Sequence, residues 1–293
     1  LLKRMPDVVY HEPNYLPAAF DGPKVVTVHD LSHIHYADCH PRARVMAMDR
    51  LLPRALERAS AVITVSEYVA AEVREQFGLP AARVNAIHHG IDPVFQPLDD
   101  ETIRPTLDRY GLVAGSYLLC LATLEPRKNL HRLISAFETL PTALRAGYPL
   151  VLAGAAGWRN TDIRARIDRL VARGELRHLG YVPAEDRAPL YNGAHGFAYP
   201  ALYEGFGLPP LEAMACGTPV MTSNRSAMPE VAGEAALMVD PEDTDAVGEG
   251  LRRLCEDMPL RARLERAGPA RAAGFTWARC AAATAAVYRE AMA

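Results

Sequence analysis

Short apolar runs alternating with amphipathic stretches set the expected architecture. Residues 7–10 (DVVY), 24–28 (KVVTV), 61–65 (AVITV) and 83–87 (RVNAI) are rich in β-branched side chains, as in strands buried on both faces of a parallel sheet. Between them, residues 42–59 (RARVMAMDRLLPRALERA) carry an apolar stripe at helical spacing, with Pro53 placed to kink it. Ser66 is positioned to cap a helix that runs to about Phe77 and closes on Gly78. Residues 93–115 break this rhythm with Pro93, Pro97, Pro105 and the acidic run Asp99 to Glu101, which marks a domain boundary. The pattern then restarts. Strands are expected at 117–121, 149–153, 177–180, 195–199, 219–222 and 236–239. Helices fall between them at 129 onwards, 161–172, 184–191 and 209–216, and Ala- and Arg-rich helices follow to the end. Strands alternating with helices predict an α/β protein with parallel sheets: about four strands in the first domain and a complete, six-stranded, doubly wound second one.

Composition narrows this picture. At 293 residues the chain has room for two domains, and 49% apolar with 23% charged residues suits a globular protein. A net charge of −3 gives no global reason to expect nucleic acid as a partner. Cys39, Cys120, Cys216, Cys255 and Cys280 are scattered and lack a CxxC pair. That predicts reduced thiols of a cytoplasmic protein rather than a disulfide frame or a zinc site. The longest apolar runs are strand-sized, so no membrane span is expected, and no signal peptide is visible.

The most informative stretch is 197–220, FAYPALYEGFGLPPLEAMACGTPV. A strand leads into a turn with Gly205 and Gly207 around Phe206, and Pro209-Pro210 then opens a helix, where prolines cost nothing because first-turn N–H groups lack partners anyway. Free amides and the positive end of the helix dipole converge there on an anion site. Glu204 and Glu212 bracket the turn. Carboxylates repel phosphate, so they suit hydroxyl groups as donors to them. Phosphate on amides and hydroxyls on carboxylates describe a sugar nucleotide. An ordinary strand–helix turn with a capping glutamate fits the same residue types, and these alone do not separate the two readings.

The full string resembles the Glu-x7-Glu signature of retaining glycosyltransferases of the GT-B fold, family 4 type, and the likeness extends over essentially the whole chain. It implies two Rossmann-like domains facing across a cleft: residues 1–100 as a partial acceptor-side domain, 101–275 as the nucleotide-sugar domain, and 276–293 as a helix returning to the first. Such proteins have roughly three more strands before this point, so Leu1 corresponds to a position roughly 80 to 100 residues into one, and an additional N-terminal segment is expected. The implied activity is transfer of a hexose from a nucleoside diphosphate sugar to a hydroxyl of a glycan or lipid-linked acceptor, with retention. The EPRKNL and YEGFGLPPLEAMACG forms look most like mannosyltransferases of bacterial polysaccharide assembly, which puts GDP-mannose first as donor and a UDP-sugar second. No cofactor or metal is implied.

Residue by residue, the resemblance gives Lys128 and Arg127 to the leaving diphosphate and Glu204 and His29 to the hexose. The amides of Gly205, Phe206, Gly207 and Leu208 go to phosphate and hexose, Glu212 to the ribose, and Gly154 and Val182 to the nucleotide side. Arg127 and Lys128 also stand out unaided: cations at a helix start oppose its dipole unless an anion sits there. Family members usually carry an Arg where this chain has Thr123, and an Asn where it has His89. His29, His33, His35 and His40 could suggest a metal, but their loop lacks fixed spacing, and His29 falls in the family's HD(L/I)S position. Helix 42–59 displays Arg42, Arg44, Arg50, Arg54 and Arg58 against Asp49 and Glu57. It fits a solvated face, or a peripheral contact with the inner face of a membrane bearing a lipid-linked acceptor. Two other classes remain open at this stage: a non-catalytic nucleotide-sugar-binding fragment, and a nucleotide-sugar epimerase, for which no second acid–base motif is found.

Overall fold

The structure, a computed structural model, describes residues 8–155 and 161–292. Among these, ten strands pair in parallel in two sheets. In the first, β1 (Tyr10–Glu12), β2 (Lys24–Val28), β3 (Ala61–Thr64) and β4 (Val84–Ala86) lie in sequence order. In the second, β5 (Leu118–Leu121), β6 (Leu150–Ala153), β7 (Leu176–Gly180), β8 (Gly196–Tyr199), β9 (Val220–Ser223) and β10 (Leu237–Val239) are ordered β10-β9-β8-β5-β6-β7. The chain divides into two compact units. Unit 1 comprises residues 1–90, 204–206 and 275–293; unit 2 comprises 91–203 and 207–274. Each is a Rossmann-like α/β unit.

In unit 1, β2 pairs with β3 from Val25↔Ala61 to Val28↔Thr64, and the two strands are buried almost throughout, as continuous apolar runs require. One face of the sheet carries Val26, Val28 and Val62 against Leu52, Leu56, Val69 and Val73 of helices Arg42–Glu57 and Glu67–Phe77. The other face, Val25, Ala61 and Ile63, packs on Val287 of the C-terminal helix Trp277–Met292. Ser66 caps Glu67–Phe77 by accepting from the Val69 amide at 3.2 Å, and Gly78 ends it in the left-handed conformation at φ 63°.

In unit 2 the helix Leu130–Thr139 buries Leu133, Ile134 and Phe137. Helix Leu208–Ala215 buries every residue from Pro210 onward, each large side chain contributing about 1.5–3 kcal/mol. Helix Met258–Ala272 approaches it closely at Gly268, where a Cβ would stand 2.8 Å from the Met214 carbonyl oxygen.

Two expectations change. The first strand lies at Tyr10–Glu12 rather than 7–10, residue 7 itself being outside the described residues. Residues Asp100–Tyr110, expected as part of an irregular boundary, form a helix despite Pro105. Asp99 accepts from the Thr102 amide at 2.8 Å, Asp100 and Glu101 suit the first turn, Gly111 closes the end, and Ile103, Thr106 and Leu107 bury one face. Those terms outweigh the single bond that proline forgoes.

Candidate functional site

In a parallel sheet all carboxyl ends lie on one edge. In unit 2 the strand order reverses at β5, whose neighbours are β6 on one side and β8 on the other. Such a switch point is where open α/β sheets bind ligands. The two segments singled out from sequence leave the sheet at this point, one after β5 and one after β8.

After β5, residues Pro126–Lys128 form a 3-10 turn, and Asn129 adopts the left-handed conformation (φ 61°) before helix Leu130–Thr139 begins. Lys128 is buried, its Nζ 5.6 Å from the centre of the Tyr199 ring at the end of β8. The anion that two cations at a helix start call for is present in the chain itself. Glu125 Oε1 lies 2.8 Å from Nη2 of Arg127 and 3.8 Å from Nζ of Lys128. Arg127 also donates to the Tyr203 carbonyl at 3.3 Å, and its own carbonyl accepts from the Leu202 amide at 2.8 Å. The buried Asn129 side chain donates to the carbonyls of Pro200 and Pro241 at 3.0 and 2.6 Å. The β5 segment thus fixes the course of the chain leaving β8.

That chain reaches Gly207, at φ 104° the left-handed cap of helix Leu208–Ala215. One turn on, Glu212 is buried. Its Oε2 accepts from the Tyr191 hydroxyl at 2.8 Å, and its Oε1 lies 3.6 Å from Nη1 of Arg187. Burial raises its carboxyl above the usual range, the Tyr191 hydrogen bond and Arg187 draw it back down, and Asp92 pushes it up. Gly154 follows β6 at φ 147°, where a Cβ would meet the Ala122 carbonyl oxygen at 2.0 Å, so nothing larger than glycine fits. Gly157 and Trp158 of the same loop lie outside the described residues. Val182 is buried just beyond β7.

Unit 1 gathers different chemistry at its carboxyl edge. His29 follows β2, Ser66 follows β3, and His88 and His89 follow β4. His29 hydrogen-bonds the Pro13 carbonyl through Nε2 at 2.8 Å and stacks on His89 with ring centres 5.6 Å apart. Phe206 meets His89 edge-on at 5.3 Å and Phe275 at 5.8 Å. Burial, then the neighbouring His29 and His88, lowers His89 to about 4, so it is neutral at physiological pH. Gly205 donates no side chain to this cluster. Its carbonyl accepts from Ser66 Oγ at 2.7 Å, and a Cβ on it would fall 1.9 Å from the His29 carbonyl oxygen. Glu204, the residue before it, is buried in the same unit.

The other histidines of the 29–40 stretch are dispersed. His33 is buried with its pKa lowered by burial, His35 pairs with Glu72 at 2.8 Å, and His40 meets Ser32 Oγ at 2.8 Å. Among the described residues no group of three or more His, Cys, Asp or Glu side chains could hold a metal ion, and no helix is long and apolar enough to cross a membrane. Sequence reading passed over Glu125, Asn129, Tyr191 and Arg187. Glu125 was open to detection, as the residue preceding Pro-Arg-Lys; Tyr191 was not, because only the fold brings it to Glu212.

A doubly wound sheet with residues of this kind at its switch point is a site-bearing α/β unit, and the similarity to known proteins gives its class. Residues 114–271 match the model of the glycosyl transferases group 1, and residues 1–95 that of glycosyltransferase family 4. The chain belongs to this family and is a glycosyltransferase of the GT-B fold. It is 38% identical over 289 residues to O-antigen chain mannosyltransferase B of Escherichia coli, covering 98% of this chain and 76% of that one. Among solved structures, sucrose-phosphate synthase from Thermosynechococcus elongatus matches with a TM-score of 0.75 at 25% identity, over 92% of this chain and 68% of that one. HepE from Anabaena, in complex with UDP-glucose, matches with a TM-score of 0.72 at 22% identity, over 92% and 71% respectively, a likeness of fold.

Proposed function

We propose that the chain transfers mannose from a nucleoside diphosphate sugar, GDP-mannose in first place, to a hydroxyl of a glycan or lipid-linked acceptor with retention at the anomeric carbon. The observation that carries this reading is the placement of Arg127 and Lys128 after β5 and of the Gly207 cap of helix Leu208–Ala215 after β8, the two strands that meet at the switch point of unit 2. The O-antigen mannosyltransferase relative supports mannose. The fold shared with HepE, whose structure holds UDP-glucose, keeps a UDP-sugar as the second donor.

In this reading Lys128 and Arg127 stabilise the charge that develops on the departing diphosphate, exchanging part of their hold on Glu125 for the ligand. The Gly207 and Leu208 amides, at the start of an eight-residue helix, receive phosphate oxygens. Glu212 accepts from ribose hydroxyls, with Val182 and Gly154 beside the nucleotide. Glu204, His29 and the amides of Gly205 and Phe206 serve the hexose. The leaving phosphate takes the acceptor proton on the same face, so the protein's part is positioning and charge stabilisation.

The test is incubation with radiolabelled GDP-mannose, UDP-glucose and UDP-galactose, scoring transfer, hydrolysis and epimerisation separately. Label from GDP-mannose passed to a glycan primer with α-configuration supports the reading. Inversion at the anomeric carbon, or epimerisation without transfer, contradicts it.

A further inference from the structure

Glu212 lies in a built setting that the family signature does not describe. Tyr191, on helix Ala184–Gly193, is fully buried, and its hydroxyl donates to Glu212 Oε2 at 2.8 Å. Two further contacts fix the ring and one its backbone. Phe95 meets it edge-on at 5.9 Å, Phe197 of β8 at 5.3 Å, and the Tyr191 carbonyl accepts from Thr218 Oγ1 at 2.7 Å. Arg187, one helical turn before Tyr191, lies over the Phe95 ring at 5.7 Å and reaches toward Glu212 Oε1, at 3.6 Å. Oε2 is thus saturated along one direction by a rigid phenol. Oε1 accepts no hydrogen bond among the described residues and has only this long contact to a half-buried guanidinium.

A free carboxylate can rotate and present either oxygen, or both, to a ligand. One pinned by a buried tyrosine presents a single oxygen in a single direction. We propose that Tyr191 is a positioning residue for Glu212, and that with Arg187 it holds the carboxylate with Oε1 directed to a ribose hydroxyl of the nucleotide, making the enzyme discriminate ribo- from deoxyribonucleotides. This rests on the assignment of Glu212 to the ribose under the proposed function. Several groups face the Glu212 carboxyl: Tyr191 and Arg187 from helix Ala184–Gly193, Asp92 from the segment after β4, and the Cys216 thiol at the end of its own helix. Tyr191 and Arg187 both favour the ionised acceptor, so removing either raises the pH at which it is lost.

The experiment is calorimetric titration of GDP, UDP and their 2′- and 3′-deoxy forms, across pH, into wild type, Tyr191→Phe and Arg187→Gln. Wild type is expected to favour the ribo form, and Tyr191→Phe to shrink that preference roughly tenfold. Its affinity is also expected to fail at a higher pH on acidification. Arg187→Gln, at a partly exposed site, should shift the pH profile the same way even if Tyr191→Phe does not fold. A merely structural tyrosine would weaken ribo and deoxy forms alike with an unmoved pH profile, and that result overturns the inference. An unmoved pH profile in Arg187→Gln overturns it too. Wild type that binds neither diphosphate sinks the nucleotide reading itself. Wild type whose ribose preference survives Tyr191→Phe sinks only the positioning role.

Discussion

The two units end their parallel strands in opposite chemistry. Unit 2 puts charge at its carboxyl edge: Arg127 and Lys128 on Glu125, and Glu212 between Tyr191 and Arg187. Unit 1 puts packed rings there: His29 on His89, and Phe206 and Phe275 around His88 and His89. The same architecture therefore supplies two edges of different chemistry. Buried charges are costly unless paired, and Glu125 pairs the cations of unit 2; on the proposed function an anionic ligand takes over part of that pairing. Of these rings, His89 is held neutral by burial, and on the proposed function this edge offers ring faces to an uncharged sugar. The lesson is that strand ends fix where a site lies, and the residues immediately after them fix what it can hold.

The comparison is broken most severely at Lys128. Lys128→Met keeps the volume over Tyr199 but removes the charge, and kcat for transfer is expected to fall by roughly 10²–10³. Steady-state kinetics check this; a change within about threefold would take Lys128 out of the diphosphate site.

The next effect is one of stability, and it belongs to unit 1. His89 titrates at about 4 in the folded chain against 6.5 unperturbed, so the unfolded state binds its proton first as pH falls. Folding stability is full above about pH 6.5 and is lost progressively down to about pH 4. The loss is roughly 2 kcal/mol once partial exposure is discounted. Thermal unfolding across that window should show a shallower loss in His89→Gln than in wild type. Equal slopes would mean that His89 is not held neutral by its surroundings.

The smallest effects separate the two glutamates. Glu212→Gln is expected to raise KM about tenfold and weaken the bare diphosphate to match, because ribose contacts change little on the way to the transition state. Glu204→Gln is expected to lower kcat about tenfold while diphosphate affinity stays level, since its contact strengthens as charge develops on the hexose. Steady-state kinetics beside calorimetry read both. If Glu204→Gln abolishes diphosphate binding and Glu212→Gln spares it, the two assignments are exchanged.

Much of this was legible in the sequence, and for local reasons. Short apolar runs, β-branched in the first sheet, located the strands of both sheets to within a residue or so except β1. Ser66 and Gly78 marked both ends of their helix, because caps are written in the residues that make them. Helix Asp100–Tyr110 was hidden by Pro105, a breaker that the Asp99 cap and one buried face override. The positions of Glu212, Arg127 and Lys128 could be read, but not their partners. Tyr191 meets Glu212 and Asn129 meets Pro241 only because the sheet order brings distant segments together. Glu125, two and three residues before these cations, pairs with both, which their place at a helix start did not reveal.

The contrast between the two edges is tested most directly by titrating GDP and UDP, without any sugar, into wild type, Lys128→Met and His29→Ala. Wild type is expected to bind one of the diphosphates at a single site. Lys128→Met should lose at least tenfold in affinity, and His29→Ala should match wild type. Binding that survives in Lys128→Met and disappears in His29→Ala would place the diphosphate on the histidine edge and contradict the account.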